Sequence, residues 1–157
     1  MNRQLDDRQR SASVLRIAAV YFGIVFGVGF LLGSVRVPLL VPRIGERAAE
    51  LAEMPLMFIA IYLAAGYVVR RHGASVSPGG WALAGVAALG LLLCAELLLA
   101  VGLAGRNVAE YVASRDPVSG SVYLGMLAVF AAMPWLRRGL AGARSEPEAS
   151  RQAAAGE

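Results

Sequence analysis

Hydrophobic and polar positions along the chain separate into four long apolar runs set between polar stretches. Residues 1–13 are polar, with Arg3, Arg8 and Arg10 against Asp6 and Asp7 and no apolar periodicity, which predicts a mobile tail. The apolar runs follow at 14–37, 51–70, 81–104 and 118–136. Each reaches or approaches the ~20 residues that a helix needs to cross a hydrocarbon core. Trp81, Tyr67 and Trp135 lie at run ends, as do the pairs Arg70–Arg71 and Arg137–Arg138, the usual anchors at a membrane interface. The first run is longer than the apolar core of a secretory signal and no small-residue cleavage site follows it, so it reads as a retained span.

Three connections join the runs. Ile44–Glu53 suits a short helix with Glu46, Glu50 and Glu53 at i, i+4 and i+7 on one stripe. Gly73–Gly80 holds Ser75, Ser77, Pro78 and Gly79–Gly80, a strong turn signal. In Gly105–Pro117, Val108, Tyr111 and Val112 recur at helical spacing and predict one amphipathic turn lying on the membrane. Residues 139–157 mix Ala, Glu, Ser and Arg with little to bury, which predicts a disordered tail. The pattern predicts an all-α fold, an integral membrane four-helix bundle with short periplasmic amphipathic segments, whose first partner is the lipid bilayer.

Composition agrees. Of 157 residues 57% are hydrophobic and the mean hydropathy is +0.59, outside the range of an ordinary soluble domain. All 15 basic residues are arginine and the net charge is +4. The arginines stand at segment ends rather than on one element with interleaved aromatics, which argues against nucleic-acid binding. Across four spans, Arg3, Arg8, Arg10, Arg16, Arg70, Arg71, Arg137, Arg138, Arg144 and Arg151 share one side, against Arg36, Arg43, Arg47, Arg106 and Arg115 on the other. That bias predicts both termini in the cytoplasm, in a bacterial inner membrane. Cys94, the one cysteine, cannot form an intramolecular disulfide and reads as a small buried hydrophobe. His72, the one histidine, sits at a run end; with only carboxylates left as ligands, neither a metal nor another cofactor is predicted.

The candidate chemistry lies where charge meets lipid. Pro38 bends or breaks the first helix, so Arg36 falls in or at the edge of the bilayer. Glu96 interrupts the third run about eight residues from its outer end, roughly 12 Å deep at 1.5 Å per residue. Leu92, Ala88 and Gly85 share its helical face, which predicts that this face points into the bundle. A charge at such depth is costly alone and less so when paired, so the expected contact is Arg36 with Glu96, with Glu53 as a second carboxylate and Glu50 and Arg43 nearby. In the first run the pairs Gly23/Gly27 and Gly29/Gly33 have the small-xxx-small spacing that lets helices approach closely, although glycine is also simply common in membrane helices.

The stretch Gly29-Phe30-Leu31-Leu32-Gly33-Ser34-Val35-Arg36-Val37, then Val41-Pro42-Arg43-Ile44-Gly45-Glu46-Arg47 and Glu50-Leu51-Ala52-Glu53-Met54-Pro55-Leu56-Met57, resembles a segment of small, uncharacterised four-span bacterial inner-membrane proteins. The resemblance runs from about residue 21 to residue 70. It implies the four-span architecture and singles out the same charged stretch, and it implies no activity. Exporters of the small multidrug resistance type also depend on an intramembrane glutamate, but theirs is in the first span and here it is in the third; the analogy is functional only. No nucleophile motif, metal-ligand spacing or phosphate loop is present, so the expected role is non-enzymatic. The expected role is that of an accessory, scaffold or assembly component, with another membrane protein or further copies of itself as the expected partner. The alternative is a small proton- or cation-coupled transporter using Glu96.

Overall fold

The computed structural model describes residues 2–73, 76–104 and 117–154. Among these the backbone forms helix α1 (Asn2–Val35), a π-helical segment (Arg36–Leu40), α2 (Val41–Ile44), α3 (Glu46–His72), α4 (Pro78–Ala104) and α5 (Pro117–Ala154), with no strand. Both ends are more helical than their polarity predicts. α1 begins at Asn2, within the stretch expected to be a mobile tail, and α5 runs on through Ala154, within the one expected to be disordered. The physical reason is cooperativity. A helix already nucleated by the apolar run gains a hydrogen bond for each residue added, and Ala, Glu, Gln and Arg are good helix formers. The predicted amphipathic turn at 105–117 lies almost wholly outside the described residues.

Pro38 does not end the first helix; it widens it. In a regular α-helix the proline ring would strike the carbonyl of Ser34, and one donor would be missing. The chain instead takes a π-helical turn, closed by the N–H of Val41 donating to the Arg36 carbonyl five residues back. Ser34 turns its hydroxyl to the Phe30 carbonyl at 2.7 Å. Pro42 then opens α2, where no intrahelical donor is needed. The reversal into α3 falls on Gly45, with φ 80° and ψ 161°, a conformation that a residue bearing a Cβ avoids. Its N–H donates to Val41 at 3.0 Å and its carbonyl accepts from Ala49 at 3.1 Å. The short helix expected at Ile44–Glu53 is therefore the opening of α3, which continues past Pro55 to His72.

α1 packs against α3 and α4, and α5 packs against α3 and α4. The consecutive helices α3 and α4 do not pack on each other among the described residues; like α1 and α5, they face each other across the bundle. The centre is built from Ile17, Ala18, Tyr21 and Val25 of α1, Ile61, Ala65 and Val68 of α3, Trp81, Ala84 and Ala88 of α4, and Phe130 and Met133 of α5. Tyr21 and Phe130 stack across the diagonal at 4.6 Å. The Phe130 carbonyl has no intrahelical N–H to accept, because residue 134 is proline, and the Tyr21 hydroxyl donates to it at 2.9 Å.

Small residues set the close approaches, but not the expected ones. Around Gly23, Gly27 and Gly33 no neighbour lies where a side chain would begin, and Gly29 meets only the Met57 side chain, 3.3 Å from a Cβ built there. The inward stripe of α1 is the Ile17, Ala18, Tyr21 and Val25 face, so Gly23 and Gly27 fall beside it. The tight contacts are Gly85 against the Ala131 carbonyl and Gly66 against the Arg137 guanidinium. Gly85, Ala88 and Leu92 are buried, as the Glu96 face predicts. Cys94 lies about half a turn away and is exposed on the outer surface, not buried. Leu15, Phe30, Leu31, Leu63, Leu83, Leu98 and Leu124 also point outward, so the bundle wears an apolar belt. Its four long helices are each long and apolar enough to cross a membrane, as a multi-pass integral membrane protein requires.

Candidate binding cavity

Between the helices, at the end of the bundle where α1 turns into α3, is a cavity of about 350 Å³. α1 contributes Val25, Phe26, Gly29 and Gly33, and the π-helical segment contributes Arg36. α3 adds Glu50, Glu53, Met54, Met57 and Ile61. Leu92, Glu96 and Leu99 come from α4, and Tyr123, Met126, Leu127 and Phe130 from α5. Gly29 and Gly33 thus act as wall rather than as helix contacts. No neighbour lies within 4 Å of where a Gly33 side chain would begin, so its absence leaves room.

The polar groups fall into two sets. Glu50 and Glu53, three residues apart on one face of α3, share Arg36: its Nη1 is 3.3 Å from Glu50 Oε1 and its Nε is 3.1 Å from Glu53 Oε2. The Nε–H is not aligned for a hydrogen bond to Glu53, so that contact is an ion pair of charges. Side-chain exposures of 23% for Arg36, 21% for Glu50 and 14% for Glu53 show that the cluster is only partly enclosed by the helices. Across from them, Tyr123 of α5 donates its hydroxyl to Glu96 Oε2.

Arg36 therefore pairs with the two carboxylates of α3 and not with Glu96. The tight reversal at Gly45 brings the end of α1 against the first turns of α3, whereas Glu96 stands on α4 across the cavity. Position along the helices alone left Arg36 within reach of Glu96; lateral position decided the partners. Arg43 stays outside, exposed on α2. Tyr123 is the group that the sequence reading missed. The available signal was the need of a carboxylate within an apolar run for a donor, and Tyr123 is a hydroxyl-bearing residue in the one run that otherwise offers only Ser119 and Ser121. Among the described residues, the cavity wall carries three carboxylates and one guanidinium.

The opposite end is built differently. Arg137 donates from Nη1 to the Tyr62 hydroxyl at 2.6 Å, with its Cζ 4.1 Å from the centroid of the same ring. Its guanidinium lies along Gly66, which has no side chain to displace it. Tyr67 is exposed near Arg70 and Arg71, consistent with an interfacial anchor. Among the described residues no group of three His, Cys, Asp or Glu is placed to hold a metal ion. No protein-family model, no curated protein and no solved structure matches the chain.

Proposed function

We propose that the protein is a small proton- or cation-coupled transporter whose exchange group is Glu96. The observation that carries this is the charge imbalance of the cavity, three carboxylates to one guanidinium, at a place reached by all four long helices. A purely structural cluster is expected to balance its charges, because each unpaired one costs free energy near lipid. Arg36 holds Glu50 and Glu53, and Glu96, held by a neutral hydroxyl, is left to trade its proton for a cation. The reading includes a bacterial inner membrane, both termini cytoplasmic, and a non-enzymatic role.

A second reading is an accessory or assembly component, favoured by the exposed Gly23 and the open space beside Gly27 on α1, where a helix of another protein or of a second copy would fit. One experiment separates the two. In proteoliposomes holding a pH-sensitive dye, an imposed gradient of sodium, potassium or an organic amine is expected to drive proton movement. That movement is expected in the wild type and not in folded Glu96→Gln. Equal movement in Glu96→Gln removes Glu96 from the mechanism. No movement in either, with a second copy or a partner retained in native mass spectrometry, transfers the case to the accessory reading.

A further inference from the structure

We infer that the cavity takes an organic monocation with a bulky apolar body, its charge at the carboxylate end and its body between α1, α3 and α5. The inference rests on the reading of the cavity as a cation site and adds the class of cation. Its first support is the division of the wall. Arg36, Glu50, Glu53, Glu96 and Tyr123 are the only hydrogen-bonding or charged side chains lining it among the described residues, and every other lining side chain is apolar. A bare inorganic cation asks for about six oxygen ligands. Here Glu50 and Glu53 are already engaged by Arg36, Glu96 and Tyr123 are the only other oxygen-bearing side chains of the wall among the described residues, and the rest is thioether and hydrocarbon.

Shape and softness point the same way. Met54, Met57 and Met126 line the apolar part, and unbranched polarisable thioethers re-pack around bodies of different outline. Gly29 and Gly33 keep the α1 wall flat. At about 350 Å³ the space is in the range of small-molecule sites, far more than a desolvated metal ion fills. Charge complementarity selects the sign: with one guanidinium against three carboxylates an anion is repelled and a cation is attracted.

The test compares two probes of nearly the same size and shape and opposite charge. Tetraphenylphosphonium and tetraphenylborate are titrated into the full chain in nanodiscs, with the uptake of protein-free nanodiscs subtracted. The phosphonium is expected to bind at least about tenfold more tightly than the borate, and to weaken by about tenfold in Glu96→Gln. Gly33→Leu, which fills the apolar part and leaves every charge in place, is expected to abolish phosphonium binding while leaving the protein folded. Equal binding of the two ions, or phosphonium binding untouched by both substitutions, would overturn the inference and mark the space as a lipid-filled slot. Absence of phosphonium binding also overturns it. If sodium- or potassium-driven proton movement through Glu96 persists in that case, the transport reading stands and only the substrate class falls.

Discussion

A membrane helix has no water to satisfy a backbone group that loses its partner, so single residues matter where the hydrogen-bond ladder is interrupted. Pro134 opens such a gap, and Tyr21, from the helix diagonally opposite, closes it on the Phe130 carbonyl while stacking on the Phe130 ring. Tyr21→Phe keeps the ring stack and removes only the donor. Its expected cost is about 1–2 kcal/mol in unfolding measurements in micelles. In a Pro134→Ala background, residue 134 regains its N–H and the same substitution is expected to cost less than about 0.5 kcal/mol. An equal cost in both backgrounds would show that the hydroxyl does not serve the proline gap. Tyr21 was visible in the sequence as a tyrosine in an apolar run, but its partner was not, because the pair spans 109 positions of chain.

Among the elements, the reversal from α1 to α3 is the most constrained, because it sets which carboxylates Arg36 meets. It uses the π-helical turn around Pro38 and the positive φ of Gly45 in succession. Replacing Gly45 with Ala is expected to destabilise the protein by about 1–3 kcal/mol, since the new Cβ meets no neighbour and the whole cost is backbone strain. A loss of that size in thermal unfolding, with the Arg36–Glu53 spacing preserved, supports this account; a neutral substitution would rule it out. The sequence announced a disturbance here through Pro38, Pro42 and Gly45. It did not say whether the helix would break or widen, because that depends on where the freed carbonyls find donors. Residues 2–13 and 139–154 misled in the opposite direction. Polarity argues against burial, and burial was not needed to continue a helix that already existed.

For the whole molecule the four spans were legible from run length alone, and so was the inward face of Gly85, Ala88 and Leu92. The diagonal placement of α3 and α4 was not, because helix neighbours in lipid are chosen by close packing, as at Gly85 with Ala131, rather than by an apolar stripe that stands out from its surroundings. Orientation across the bilayer is a matter of charge. We expect Asn2→Cys and Ser150→Cys, each in a Cys94→Ala background, to resist a membrane-impermeant maleimide until the cells are lysed, and Arg43→Cys to react from outside. Labelling of all three positions from one side would contradict a single crossing between residues 2 and 43, labelling of residues 2 and 150 from opposite sides would contradict an even number of spans, and the reverse pattern would invert the topology.

The pairing of Glu96 with Tyr123 also bears on how the protein is made. Its acceptor is on α4 and its donor on α5, which follows α4 in the chain and therefore leaves the ribosome after it, and α5 is also the helix that joins α3 to α4. In chain order the Glu96 carboxylate is thus made before the hydroxyl that meets it. A chain cut short before Val118 keeps the carboxylate of its third long helix and loses the hydroxyl that meets it, the kind of polar group that is costly to leave without a partner among apolar surroundings.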